Sequence, residues 1–256
     1  MDRAYVLHSY AYRETSLILQ VWSEKHGRLA LVAKGARRPR SANRSLLVPF
    51  QPLVMDWFGK GELRTLKTAE PEAPATPLSG QALLSAFYLN ELLLKLTTRD
   101  DPHEALFSAY DEAVAALRAI SRAEAGPRLA AAPTAAGGRV EPVLRRFELA
   151  LLRELGYALE LTREAGTHEP IVAEREYLYV VERGAMPAPS GTETPANAVR
   201  VTGITLHDLE RGSFESASTI AQAKQLMRLL INHSLNGQEL ATRAMVRDLQ
   251  RLEGGP

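Results

Sequence analysis

The chain is predicted to be α+β: a small five-stranded β-barrel followed by a mainly α-helical domain. Three observations predict it. Residues 1–70 break into short runs rich in β-branched and aromatic residues, separated by glycine turns. A proline-rich stretch, Ala69–Pro77, follows. Beyond it the apolar spacing changes to the 3–4-residue period of helices.

The elements follow in order. Ala4–Ser9 is a first strand and Ser16–Trp22 a second. Glu24–Gly27 is the turn between the second strand and Arg28–Ala33, with Gly27 free to take positive φ. Pro52–Phe58 is a fourth strand, Gly59-Lys60-Gly61 turns the chain, and Glu62–Thr68 is the fifth. Five strands with a long loop before the fourth fit an OB-fold, a barrel that commonly binds oligonucleotides. An SH3-like barrel fits the count as well.

Three prolines between 69 and 77 fix φ and remove donors, so this stretch is expected to end the strand and to bound the domains at 1–78 and 79–256. Ser79 is the expected N-cap of a buried helix carrying Leu83, Leu84, Phe87, Tyr88 and Leu92–Leu94. A second helix is expected near Asp101-Pro102, through Leu106, Phe107, Tyr110, Val114 and Leu117. Residues 121–139, rich in Ala, Gly and Pro, read as a flexible insertion. Val140–Gly156 is a third, amphipathic helix. The poorly periodic region 165–205 is expected to hold a small irregular or β-hairpin insertion, pairing Glu176–Glu182 with Ala198–Val201. Helices Ile220–Leu235 and Gln238–Leu252 close the chain.

Charge is unevenly distributed. Residues 1–70 hold twelve Lys and Arg against six Asp and Glu, a net +6, while the remainder is net −5. The cations concentrate in Lys34–Arg44, where Lys34, Arg37, Arg38, Arg40 and Arg44 meet no acid in eleven residues. Such a segment cannot fold onto a core, because desolvating like charges costs more than burial returns. It is either a solvated surface loop or a polyanion contact that gains by counterion release. A basic front on a mildly acidic back favours a nucleic-acid module joined to something with another task.

Aromatic residues in the same half, Trp22, Trp57 and Phe58, are candidates to stack on bases, with the barrel core as the alternative position. Phe58 is expected to fill the barrel. Trp57, pointing to the opposite face, is then the aromatic assigned to nucleic acid. On the third helix, Arg145-Arg146-Phe147-Glu148 sets a cation pair beside an apolar stripe. It is either a solvated face with an Arg145–Glu148 pair or a groove in which Arg145 and Phe147 grip a peptide ending in hydrophobic residues and a carboxylate.

Other chemistry is thinly represented. There is no cysteine, so disulfides and thiolate metal sites are excluded. The six histidines do not pair at i, i+3 or i+4, and G-x-x-x-x-G-K-[ST], G-x-G-x-x-G, H-E-x-x-H and G-x-S-x-G are absent. No cofactor and no enzymatic activity are expected. Met1–Tyr5 lacks a signal-peptide layout and no run approaches 18 apolar residues, so a cytoplasmic protein without a membrane partner is expected.

Several segments together resemble RecO, a bacterial family of DNA-repair recombination mediators. They are Val6–Ser9, Arg13–Leu17, Leu31–Arg37, Phe50–Leu53, Gly59–Leu63, Leu66–Glu70, Tyr88–Leu93, Leu144–Leu152 and Leu155–Tyr157. The resemblance implies a non-enzymatic, nucleoid-associated protein with an N-terminal OB-fold. It implies binding of single- and double-stranded DNA and ATP-independent annealing of complementary strands. It also implies binding of RecR and of the C-terminal tail of the single-stranded DNA-binding protein, SSB, and help in loading RecA. By position, Lys34–Arg38, with Arg13, Arg40 and Arg44, would meet DNA, and Arg145 with Phe147 would meet the SSB tail. Some members carry a four-cysteine zinc module in the back half. This chain has none, so its hairpin region is expected to be held by packing alone. Two readings lie outside the family: an adaptor whose barrel binds protein rather than DNA, and a nucleic-acid enzyme with an appended barrel, against which the missing ligand clusters speak.

Overall fold

The computed structural model describes residues 1–74, 76–125, 134–157, 159–188, 191 and 193–253, except for the side chains of 134–139 and 249–253. Five strands, β1 (Asp2–Tyr12), β2 (Ser16–Ser23), β3 (Gly27–Ala33), β4 (Pro52–Phe58) and β5 (Leu63–Pro71), close into a barrel of order β1-β2-β3-β5-β4. β3 and β5 run parallel and the other neighbours antiparallel, which closes an OB-type barrel. Period-2 alternation aims Val6, Leu19, Val21, Leu29, Leu31, Leu53 and Met55 into one core.

β5 runs past its expected end at Thr68: Pro71 pairs with Leu53 at the last step of the ladder. A proline there removes only its own donor, and the next amide, of Glu72, bonds the Pro52 carbonyl. The β3–β4 connection contains a one-turn helix, α1 (Asn43–Leu46), which sequence periodicity does not signal.

Helices α2 (Gly80–Leu96) and α3 (Glu104–Ala125) follow. α3 starts after Pro102 rather than at it. Ser79 precedes α2 as expected but makes no cap; its hydroxyl bonds the Ser121 hydroxyl at 2.9 Å. These helices cover one outer side of the barrel. Tyr5 packs on Phe107 and Tyr110, Trp22 stacks on His103, and the Asn90 amide donates to the Leu7 carbonyl at 2.8 Å while accepting from the Tyr110 hydroxyl at 2.6 Å. Burial pushes the Tyr110 phenol well above its ordinary value.

The expected insertion at 121–139 is helical at both edges. Residues 121–125 end α3, and 134–139 begin α4 (Thr134–Glu154); residues 126–133 lie outside the described residues. Alanine is the strongest helix former, so an Ala-rich segment extends a helix already begun.

The hairpin is a three-stranded sheet of order β7-β6-β8, with β6 (Glu176–Val180), β7 (Gly184–Pro187) and β8 (Ala198–Thr202). The expected pairing of 176–180 with 198–202 is present, and β7 is additional. Helix α5 (Gly203–Arg211) was not expected. α6 (Ala217–Ser234) and α7 (Ala241–Glu253) sit near the expected positions.

Packing alone does not hold the hairpin region. The buried Glu164 carboxylate accepts from Arg175 at 3.0 Å, from the Tyr177 hydroxyl at 3.2 Å and from the Thr167 hydroxyl at 3.0 Å. Glu160 accepts the amides of Thr162 and Arg163 and the Thr162 hydroxyl. Glu164 thus ties Thr167, Arg175 and Tyr177 together, while Glu160 closes the local turn at 162–163.

Met1–Leu129 with Leu240–Pro256 form one compact unit, and Ala130–Glu239 a second. Compactness therefore groups α2, α3 and α7 with the barrel. α7 is tied to α2 by Glu91, which accepts the amides of Ala241 and Thr242 and the Thr242 hydroxyl. Burial opposes ionisation of Glu91, but these donors and nearby Lys95 hold its carboxyl below the usual range. Among the described residues no helix is long and apolar enough to cross a membrane.

Candidate nucleic-acid interface

The outer surface of the barrel carries a belt that passes over all five strands. Ladder register lines up one residue from each strand: Tyr10 opposite Ile18, Ile18 opposite Val32, Val32 opposite Thr65, and Thr65 opposite Phe58. At about 4.8 Å per strand, the four steps span roughly 19 Å. Both ends are exposed aromatics, Tyr10 at 49% and Phe58 at 57%. Rings that far apart can each stack one base, several nucleotides apart on the same single strand.

The expectation for the aromatics is thereby corrected. Phe58 does not fill the barrel; it stands outside. Trp57 is half-buried against the barrel core and meets His26 edge-on at 5.2 Å. Strand alternation is the reason: Leu53 and Met55 point inward, so the next residue in phase is Trp57. The register shift at this point falls in β5, where Lys67 is the extra residue, and β4 keeps its period. Counting from Leu53 identifies the exposed ring. Trp22 is outward on β2 but fully buried under His103, so it is no platform either.

The β3–β4 connection leaves β3 just beyond Val32 of the belt. Lys34, Arg37, Arg38, Arg40 and Arg44 are all exposed, as is Arg13 in the β1–β2 turn. Among the described residues none of the six meets a carboxylate within 4.0 Å. Backbone groups shape the loop instead. The Arg37 amide donates to the Thr15 carbonyl at 2.9 Å, and its guanidinium reaches the carbonyls of Arg13 and Glu14. This joins the loop to the β1–β2 turn and brings Arg13, whose guanidinium lies 5.1 Å over the Tyr12 ring, next to the cluster. Gly35 takes φ +68, and the Arg38 side chain folds over it. A side chain at residue 35 would be strained.

A second cationic point lies at the other end of β3. Arg28 and Arg99 are bridge partners, and Arg28 donates twice to the Thr97 carbonyl, at 3.2 and 2.8 Å. Gly27 makes this approach possible, since a Cβ there would collide with the Asp101 carbonyl. Arg99 comes from a segment beyond the barrel, so sequence reading confined to the first seventy residues passes it over.

The residues assigned to a peptide groove are placed differently. Arg145, 5% exposed, is neither solvated nor open to a partner. It pairs with Glu148 at 2.9 Å and Glu141 at 3.7 Å. The expected i, i+3 pair is thus present, but inside the protein. Phe147 is buried in the core of the second unit. Arg146 is the exposed member; it donates to the Gly212 carbonyl at 3.1 Å and lies over Phe214 at 5.7 Å.

Two family models match this chain. One, described as recombination protein O N terminal, covers residues 1–75; the other, recombination protein O C terminal, covers residues 134–244. Curated relatives named DNA repair protein RecO are similar over nearly the whole length. That of Azoarcus sp. strain BH72 is 48% identical over 97% of this chain and 96% of its own. That of Aromatoleum aromaticum is 45% identical over 97% and 95%. That of Nitrosospira multiformis is 43% identical over 97% and 95%.

Proposed function

This chain belongs to the RecO family of DNA repair proteins, and on that premise we propose that it works by binding DNA rather than by catalysis. In this reading it binds single strands across the barrel belt, anneals complementary strands without ATP, and with RecR helps load RecA onto strands coated by SSB. Its place of action is the nucleoid. The observation that supports the reading most is the juxtaposition of six exposed cations, free of carboxylate partners among the described residues, with a belt that ends in exposed rings.

The physical steps are simple. Annealing brings two polyanions together, and each phosphate neutralised by Lys or Arg lowers their repulsion and releases counterions. Bases laid on Tyr10 and Phe58 are held unpaired yet exposed to a complementary strand. Contacts to phosphates and ring faces carry no sequence information, which suits a protein that must act anywhere.

Paired substitutions test the belt. Phe58→Ala is expected to weaken binding of a single-stranded oligonucleotide by about 1–3 kcal/mol, roughly five- to a hundredfold, with little change in melting temperature. Trp57→Ala is expected to lower the melting temperature more than the affinity. Fluorescence anisotropy with thermal melts reads both. The reverse pattern would return the stacking role to Trp57.

A further inference from the structure

We infer that Arg28 and Arg99 form a phosphate clamp, a second anchor for the backbone of a single strand at the opposite end of β3 from the basic loop. The inference rests on the reading of the barrel as a DNA-binding face and adds a site to it.

Two arginines stand side by side here. Residues paired across a bridge stand on the same face, and Arg28 and Arg99 are so paired. The fork of Arg28 on the Thr97 carbonyl fixes one of them, and the Arg28 carbonyl takes the Asp100 amide at 2.9 Å, which fixes the backbone of the other. Carboxylates neutralise the pair only weakly. Among the described residues none lies within ion-pair distance of Arg28, and Arg99 has only Glu62 at 3.7 Å, a side chain 90% exposed. The neighbouring Asp100 is taken up by Arg64 at 2.6 Å, and Asp101 faces His103 and the Thr98 hydroxyl. Burial and then the charge of Arg99 pull the pKa of Arg28 down, so the two charges act on each other.

Like charges held this close favour an anion that accepts from both. Guanidinium forks match phosphate oxygens in shape, which makes a phosphodiester the fitting ligand. The position fits the strand path. From Arg28 to Lys34 along β3 is about 20 Å, with Val32 and the belt between them. A single strand laid across the belt has a cationic anchor on each flank and its bases on the apolar middle. Duplex DNA keeps its bases stacked inward and has no use for that middle, so the clamp belongs to single-strand binding.

Arg99→Gln removes one charge from the surface and none from the barrel core. Binding of an oligothymidylate is measured against salt concentration, beside Arg99→Lys and the triple loop variant K34E/R37E/R38E. The expected result for Arg99→Gln is a severalfold loss of affinity with a salt slope shallower by about 0.7, the loss of one single-strand phosphate contact. Arg99→Lys should keep the slope. Wild-type affinity and slope in Arg99→Gln, with binding lost in the loop variant, would overturn the clamp and leave the proposed function standing. Failure of the wild type to bind the oligonucleotide would overturn both. A parallel melt in inorganic phosphate against chloride at equal ionic strength separates the ligand sources: a phosphate effect lost in Arg99→Gln, without any change in oligonucleotide binding, would show a free-anion site and overturn the strand anchor.

Discussion

Reversing three charges of the β3–β4 loop, in K34E/R37E/R38E, is expected to lower affinity for a single-stranded oligonucleotide on the order of a hundredfold at moderate salt. The argument is electrostatic. Three exposed cations without carboxylate partners become three anions on a surface that must approach phosphates, so attraction turns to repulsion and the salt slope falls. The fold should persist. Among the described residues Lys34 and Arg38 form no side-chain hydrogen bond, and Arg37 contributes two long, exposed contacts of 3.3 Å to carbonyls. Exposed substitutions of this kind change stability by about 0.5 kcal/mol or less each. A melting temperature that falls in step with affinity would make the loop structural instead.

The second large effect lies in the other compact unit. Arg145→Ala is expected to cost about 3–5 kcal/mol of stability, because it strips the guanidinium from Glu148, a carboxylate 1% exposed. Glu141 is less affected, since Lys224 holds it at 2.6 Å. The melting transition of that unit should fall by roughly 15–20 °C. A double change, Arg145→Met with Glu148→Leu, removes both charges together and should recover most of the loss, since apolar replacement of a buried pair is often neutral or better. Any loss of partner-peptide binding in Arg145→Ala is then a consequence of unfolding, and Met/Leu restores it. An Arg145→Ala protein with wild-type stability would put the residue back on a functional surface.

The barrel was legible because each strand carries its own evidence: inward Leu19 and Val21, Leu29 and Leu31, Leu53 and Met55, each run closed by a turn residue. Pro52–Phe58 matches the observed strand end to end. What escaped had little local signal. α1 is four residues long, less than a period. β7, Gly-Ala-Met-Pro, has no β-forming composition and depends on pairing with β6. α5 did carry signs, Thr202 accepting the Thr205 amide at its start and Gly212 at φ +66 at its end, in a region too irregular to make them stand out.

The site divides the same way. Loop cations are legible because charge cannot be buried. The exposed ring was readable by counting in twos from Leu53. The burial of Arg145 was not readable: Glu141 and Glu148 flank it at helical spacing, but the same pattern decorates solvated helices. Arg99 joins Arg28 only through tertiary structure, with Gly27 leaving room for the approach.

The measurement closest to the central claim is annealing of complementary fluorescent oligonucleotides coated with SSB, without ATP, across a salt series. Acceleration that is strong at low salt and fades as salt rises is the expected result, as phosphate contacts require. No acceleration by the folded protein, or acceleration indifferent to salt, would contradict DNA binding by the barrel and favour a protein adaptor.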